Sequence, residues 1–151
     1  MFLTKDKIKL AEEFDFNKLS EFINHNNCTT EMSGNWRNDY IFDNPIGLRD
    51  IHRDPYFQNI YKYLNINFNK ENKKSVLLLY ANFQAGGKSV YHSDDGVDVY
   101  MIGLFGKTLV LDQNNDETLL QKGDLLYIKS GEKHRVLSLT PRIVCSWYIP
   151  T

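Results

Sequence analysis

With 151 residues, 42% of them hydrophobic and 25% charged, the chain is long enough for one domain with a buried core, and its composition excludes wholesale disorder. The 18 basic and 19 acidic residues leave a net charge of -1, which provides no electrostatic footprint for nucleic acid or an anionic membrane, and no apolar run approaches the roughly 20 residues that span a bilayer. The start lacks a secretory signal, and the two cysteines, Cys28 and Cys145, form no disulfide framework, so we expect a cytoplasmic protein with no nucleic-acid or membrane partner.

The first 70 residues carry two helical patterns. Apolar residues at helical spacing predict a short amphipathic helix over residues 15–25. The pair Asp54-Pro55 is typical of an N-cap followed by proline at the first helical position, and periodic apolar residues continue this second helix to about residue 66. We therefore expect residues 1–70 to form a helical and loop cover.

From Ser75 onward, short apolar segments alternate with turn signals such as Gly86-Gly87. Eight short strands at nearly even spacing favour a β-barrel or a double-sheet jelly roll. We expect a mainly β fold in which residues 1–151 form a single domain and residues 75–151 its barrel core. The predicted strands lie near residues 75–83, 88–93, 97–104, 107–112, 117–121, 124–129, 133–138 and 142–149.

Candidate metal ligands lie in two short motifs. His92-Ser93-Asp94 stands at the end of a predicted strand, where residues i and i+2 project from one face, so its imidazole and carboxylate can bind one metal. A bare His-x-Asp is common in exposed turns, but a second histidine, His134, follows the segment Gly123–Gly131. That segment predicts a strand, a tight glycine turn and a return strand that aims the histidine inward. Two histidines and one carboxylate leave open positions on a metal, as in non-haem Fe(II) oxygenases.

These motifs resemble those of the cupin superfamily, with Lys129 where the second motif usually has proline. Within that superfamily the chain is most similar to small Jumonji C-type hydroxylases, which are 2-oxoglutarate-dependent Fe(II) oxygenases and include enzymes that act on asparagine, histidine or arginine side chains. The resemblance implies a double-stranded β-helix with N-terminal helical segments, and it implies that the catalytic iron ligands are His92, Asp94 and His134. It covers about the C-terminal half of the chain, at Gly86–Asp94, Asp98–Met101, Gly106-Lys107, Gly123–Ile128, His134 and Trp147-Tyr148.

The resemblance also implies a cation and a hydroxyl that bind the distal carboxylate of 2-oxoglutarate. Lys107 lies 15 residues after His92, where Jumonji-type enzymes place lysine or arginine, and Arg142 lies eight residues after His134, near the arginine of prolyl-hydroxylase-type enzymes. Spacing favours Lys107 slightly, although an arginine fork binds a carboxylate bidentately and a lysine acts as a point charge. Ser89, three residues before His92, matches a threonine that hydrogen-bonds the same carboxylate.

The implied function is a 2-oxoglutarate- and Fe(II)-dependent dioxygenase that hydroxylates an amino acid, a peptide or protein side chain, or a small metabolite. Two alternatives stay open. A metal-dependent cupin without 2-oxoglutarate, such as a substrate-cleaving dioxygenase, an isomerase or a lyase, would add Asp98 as a fourth metal ligand. A small-molecule-binding cupin without turnover would use the barrel only for binding. The sequence also leaves the oligomeric state open, with a homodimer as one candidate.

Overall fold

The computed structural model describes residues 1–25, 30–32, 46–49, 51–86 and 90–151. Over these ranges the protein is mainly β, as predicted, and has ten strands, two α-helices and one 3₁₀ turn. In chain order they are β1 (Phe2–Thr4), α1 (Phe16–His25), β2 (Thr30–Met32), β3 (Ile46–Leu48), the 3₁₀ turn Ile51–Arg53, α2 (Pro55–Phe68), β4 (Val76–Asn82), β5 (Val97–Phe105), β6 (Thr108–Asp112), β7 (Glu117–Leu120), β8 (Leu125–Ile128), β9 (His134–Ser138) and β10 (Arg142–Pro150).

Two antiparallel sheets form the barrel. The larger has the order β1-β8-β5-β10-β4-β3-β2, and the smaller has the order β7-β6-β9. Beside β9, Gly86 and His92 make isolated antiparallel bridges to Ser138 and His134, so both ends of the connection between β4 and β5 lie at this edge of the small sheet. From β4 onward the chain crosses repeatedly between the two sheets. The last strand, β10, lies between β4 and β5 in the larger sheet. This strand order is that of a double-stranded β-helix, or jelly roll.

The strands follow the sequence prediction closely, with one exception. Seven of the eight predicted strands are present, each within one residue of its predicted bounds. The prediction of a continuous strand over 88–93 is wrong over 90–93, where His92 alone makes a bridge. The reason is local, because the Val90 carbonyl lies 3.0 Å from the His92 ring and accepts from it instead of from a neighbouring strand. Residues 87–89 lie outside the described ranges.

The N-terminal part also contributes strands that the sequence did not predict. β1 pairs with β8 at one edge of the larger sheet, and β3 pairs with β4 at the other. Each of these strands has three residues, which is too short for the alternation of apolar and polar residues to identify it. The larger sheet is therefore wider than the barrel alone requires.

Side chains on the two faces of the larger sheet enter different cores. On β10, Cys145 and Trp147 are buried against the helices, whereas Val144 belongs to the core between the two sheets. Alternation explains this division, because successive side chains of a strand point to opposite faces. The inward face of β10 therefore carries Arg142, Val144, Ser146 and Tyr148.

Both predicted helices are present and cover the outer face of the larger sheet. α1 follows Asp15, whose carboxylate accepts the Lys18 N–H at 2.9 Å. α2 begins at Pro55 after Asp54, whose carboxylate accepts the Tyr56 N–H at 2.9 Å. These caps satisfy amides that have no partner within the helix. Neither of the two described helices is long and apolar enough to cross a membrane.

Candidate metal centre

The structure brings His92, Asp94 and His134 together. Their potential ligand atoms all lie within 4.8 Å of one another, with 3.5 Å between His134 Nε2 and Asp94 Oδ2. The two imidazole rings have a centroid separation of 4.4 Å. His92 and His134 meet because each donates its backbone N–H to the carbonyl of the other, at 3.0 and 2.9 Å. Residues that exchange both bonds lie directly opposite each other in an antiparallel pair.

Both rings are held in the orientation that a metal requires. His92 Nδ1 lies 3.0 Å from the Val90 carbonyl oxygen, and His134 Nδ1 lies 2.9 Å from that of Glu132. A carbonyl oxygen only accepts, so Nδ1 carries a hydrogen in each ring, and Nε2 is the nitrogen that could bind a metal. Metal-ligating histidines commonly donate their other ring N–H in this way. Two such nitrogens and a carboxylate oxygen fit a divalent transition metal.

The turns that carry the ligands are bonded to each other. Gly131, in the turn before β9, has a φ of +78°, a left-handed conformation that glycine adopts without strain. Its N–H donates to the Asp94 carbonyl at 3.2 Å, and Ser130 Oγ accepts the Gly96 N–H at 2.9 Å. These bonds fix the Asp94 loop against the turn that precedes His134.

Asp98 faces away from this cluster. It lies on the opposite face of β5 from Val99, which is buried in the core between the sheets. Its carboxylate accepts the Ser130 N–H at 2.9 Å and lies close enough to the Tyr127 hydroxyl to help raise the pKa of Tyr127, although burial is the larger cause. Among the described residues, the group that can bind a metal consists of His92, Asp94 and His134 without Asp98. The geometry thus gives Asp98 a turn-stabilising position.

A buried arginine lies at the other end of the barrel interior. Arg142 is 5% exposed, and its Nε donates to Asn82 Oδ1 at 2.9 Å and to Ser138 Oγ at 2.8 Å. Its Nη1 donates to Thr108 Oγ1 at 3.2 Å. All three partners are uncharged, and no carboxylate of the described residues forms an ion pair with Arg142. Burial lowers the pKa of Arg142 to about 10, which reflects the cost of an unneutralised charge in this interior.

The other two predicted co-substrate residues are placed differently. Lys107 is exposed in the turn before β6, next to the inward-facing Thr108, and its backbone N–H donates to Thr140 Oγ1 at 2.9 Å. Ser89 lies outside the described residues. Of the two competing cations, the structure therefore places Arg142 inside the barrel and Lys107 on its surface.

Two tyrosines lie between the histidine cluster and Arg142, and sequence reasoning did not assign them to the site. The hydroxyls of Tyr80 and Tyr148 are 3.4 Å apart, and burial, with Tyr80 and Asp94 nearby, raises the pKa of Tyr148. The buried Ser146 hydroxyl has no hydrogen-bond partner among the described residues. The signal was present in the sequence, because Arg142, Ser146 and Tyr148 occupy even-numbered positions of a strand whose odd-numbered positions are apolar or cysteine.

No family model and no curated protein matches this chain. Solved structures with a similar fold include a conserved protein with a double-stranded β-helix domain from Klebsiella pneumoniae, at 21% identity over 52% of this chain and 66% of that one, with a TM-score of 0.47. An RmlC-like cupin from Desulfovibrio desulfuricans is 16% identical over 52% of this chain and 74% of that one, with a TM-score of 0.47. A cupin superfamily protein from Desulfitobacterium hafniense is 14% identical over 52% and 69%, with a TM-score of 0.45. The strand order described above, and not these partial likenesses, establishes the jelly roll.

Proposed function

We propose that the protein is a 2-oxoglutarate- and Fe(II)-dependent dioxygenase that hydroxylates its substrate. His92, Asp94 and His134 would hold the iron through two Nε2 atoms and one carboxylate oxygen, and three ligands leave open positions on a six-coordinate ion. Fe(II) with 2-oxoglutarate and dioxygen would supply the oxidising chemistry that converts a C–H bond into C–OH while 2-oxoglutarate becomes succinate and CO₂. The residues of the chain hold, orient and desolvate these reactants.

The observation that carries this proposal is the buried charge of Arg142, which no carboxylate of the described residues neutralises. An ion without a counter-charge inside a protein is costly, by several kcal/mol per ion. A small anion that enters the barrel would remove this cost, and a guanidinium matches a carboxylate better than any other anchor does. Asn82, Thr108 and Ser138 already orient the guanidinium, because they accept from two of its nitrogens. This arrangement supports the proposal of a carboxylate site at Arg142.

The spacing along β9 favours a dicarboxylate. His134 and Ser138, the partner of Arg142, project from the same face and lie about 13 Å apart along the strand. His134 and Arg142 both extend into this interval, which leaves room for a five-carbon acid with one end at the metal and the other at the guanidinium. In this arrangement Arg142 is the anchor, Lys107 is not needed, and Ser89 stays a proposed second donor.

Substrate would reach the site beside His92. This histidine is exposed, whereas His134 is buried, so the cluster opens on the His92 side. Val90 and Tyr91 are exposed next to it, and the Tyr91 hydroxyl donates to Asn115 in the turn between β6 and β7. An apolar rim with a polar edge suits a small molecule or a peptide or protein side chain.

An anaerobic titration of the apo-protein with Fe(II) and then 2-oxoglutarate tests the proposal. We expect a visible charge-transfer band that requires both additions. It should be absent in His134→Ala and retained in Asp98→Asn, a matched control in which a nearby carboxylate is changed. Tight metal binding without a band would overturn the proposal and favour a metal-dependent cupin that does not use 2-oxoglutarate.

A further inference from the structure

The outer face of the small sheet carries a set of leucines that we call the leucine face. Val110, Leu120 and Val136 point inward to the core between the sheets, so their neighbours on β6, β7 and β9 point outward. None of these neighbours belongs to either hydrophobic cluster of the described residues. The leucine face consists of Leu109, Leu111, Leu119 and Leu137, which are half-buried, and of Leu139, which follows β9 and is 45% exposed.

Strand register arranges this face in rows with opposite charges at two corners. In one row, Leu109 on the central strand β6 pairs with Leu119 on β7 and with Leu137 on β9. In the next row, Leu111 pairs with Glu117 on one side and Arg135 on the other. The residues of each row come from β7, β6 and β9 in that order, so the second row has Glu117 at one end and Arg135 at the other.

Neither charge is neutralised within the described part of the chain. Glu117 and Arg135 form no ion pair there, and the Nε of Arg135 is buried without a hydrogen-bond partner. The face is thus apolar in its centre and carries an acid and a base at two corners, neither in an ion pair among the described residues, which points to a partner that supplies leucine-like side chains and both charges.

We propose that this partner is a second copy of the chain, packed face to face about a two-fold axis parallel to β6. Such an axis places β6 against β6 and exchanges β7 with β9, as an isologous interface requires. Glu117 of each copy then faces Arg135 of the other, and Leu119 faces Leu137, so the face is complementary to itself in both charge and hydrophobicity. Two sheets can pack in this way at a separation of about 10 Å.

The dimer leaves the candidate metal centre open. His134 and Arg135 are adjacent on β9 and point to opposite faces, so a partner on the leucine face does not cover the histidine cluster. The three short strands offer less than the roughly 800 Å² per partner of a standard interface. We therefore expect a dimer that dissociates on dilution. This inference is independent of the proposed function.

Sedimentation velocity of the full chain from about 1 μM to about 1 mM tests the proposal. We expect a concentration-dependent shift from monomer to dimer that is lost in Leu109→Lys. The matched control is Ile66→Lys, which changes a residue 67% exposed on α2 and should leave association unchanged. A monomer at every concentration, or a dimer that Leu109→Lys does not affect, would overturn the proposal.

Charge reversal tests the orientation of the two copies. Glu117→Arg alone and Arg135→Glu alone should each weaken association about tenfold, because two symmetric attractions become two repulsions. The double variant, Glu117→Arg with Arg135→Glu, should restore it. Neither residue belongs to a hydrophobic cluster of the described residues, and circular dichroism checks the fold of each variant. Failure of the double variant to recover would refute the face-to-face arrangement.

Discussion

His134 and Ser138 project from the same face of β9, so one strand carries a candidate metal ligand and the hydroxyl that accepts the Arg142 Nε–H at 2.8 Å. The strand therefore connects the two ends of the barrel interior. Because the histidine cluster and Arg142 share no direct contact, metal binding and anion binding can be disrupted separately.

Removal of one histidine should abolish metal binding without unfolding the protein. We expect His92→Ala to lower the affinity for Fe(II) or Co(II) at least about 100-fold, since it deletes one of three ligands. His92 is exposed, and surface substitutions usually change stability by less than about 0.5 kcal/mol. A Co(II) absorption titration with parallel thermal melts measures both quantities. His52→Ala, whose ring stacks on Tyr61, is the control and should bind metal normally; equal binding by both variants would exclude His92 as a ligand.

The type of cation at position 142, arginine or lysine, should determine the affinity for 2-oxoglutarate. We expect Arg142→Lys to raise the 2-oxoglutarate concentration at half saturation about 10- to 100-fold while metal affinity stays unchanged, because lysine keeps the charge and loses the planar fork. Lys107→Ala removes the exposed cation and should have no effect. Calorimetric titration of the metal-loaded proteins measures the affinities. The reverse result, a loss in Lys107→Ala alone, would assign the anchor to Lys107.

Asp98 should prove dispensable for metal binding. We expect Asp98→Asn to bind Co(II) as the unmodified chain does, because the side chain faces away from the cluster and its amide oxygen can still accept the Ser130 N–H. Asp98→Ala loses that bond and should cost about 1 kcal/mol of stability, again with normal metal affinity. Urea unfolding and metal titration of both variants separate the two effects. A sharp fall in metal affinity in Asp98→Asn would make this residue a fourth ligand.

Stability should fall at alkaline pH. Burial raises the pKa of Tyr56, and that of Tyr100, to about 12, whereas an unfolded tyrosine ionises near 10. Between about pH 10 and 12 the unfolded chain therefore loses protons that the folded chain retains, so stability is full below about pH 10 and declines as the pH rises towards 12.

Tyr56→Phe tests this dependence. The substitution deletes the hydroxyl that donates to the Glu12 carbonyl at 3.0 Å, so it should cost about 1 kcal/mol at pH 9. It also removes one titrating group, and the loss of stability between pH 9 and pH 11 should be smaller than in the unmodified chain. Urea unfolding midpoints at the two pH values give the comparison. An equal loss in both proteins would show that Tyr56 does not contribute to the alkaline transition.

Local pattern was enough to predict most elements and the ligand motifs. The bounds of β5 and β10 follow from apolar segments that end at turn signals, which are properties of each strand and its neighbouring turns alone. The Asp54-Pro55 cap identified α2 because both residues act within one helical turn. His92, Asp94 and His134 could be selected because strand ends and glycine turns are also local. The prediction of a strand over 88–93 is wrong at the point where the His92 ring hydrogen-bonds to the Val90 carbonyl. Apolar periodicity gives no sign of such a side-chain contact.

Tertiary structure decided which side chains face each other. Spacing slightly favoured Lys107 over Arg142 but could not show which of them faces the interior, since a shift of one residue turns a strand side chain from the interior to the surface. Lys107 stands next to the inward-facing Thr108. Asp98 is directed away from the histidine cluster for the same reason. The meeting of His92 with His134, 42 residues later, and the row of Glu117, Leu111 and Arg135 depend on inter-strand register. Register is fixed only when the two sheets close over their shared core, because burial of the correct faces is what selects it.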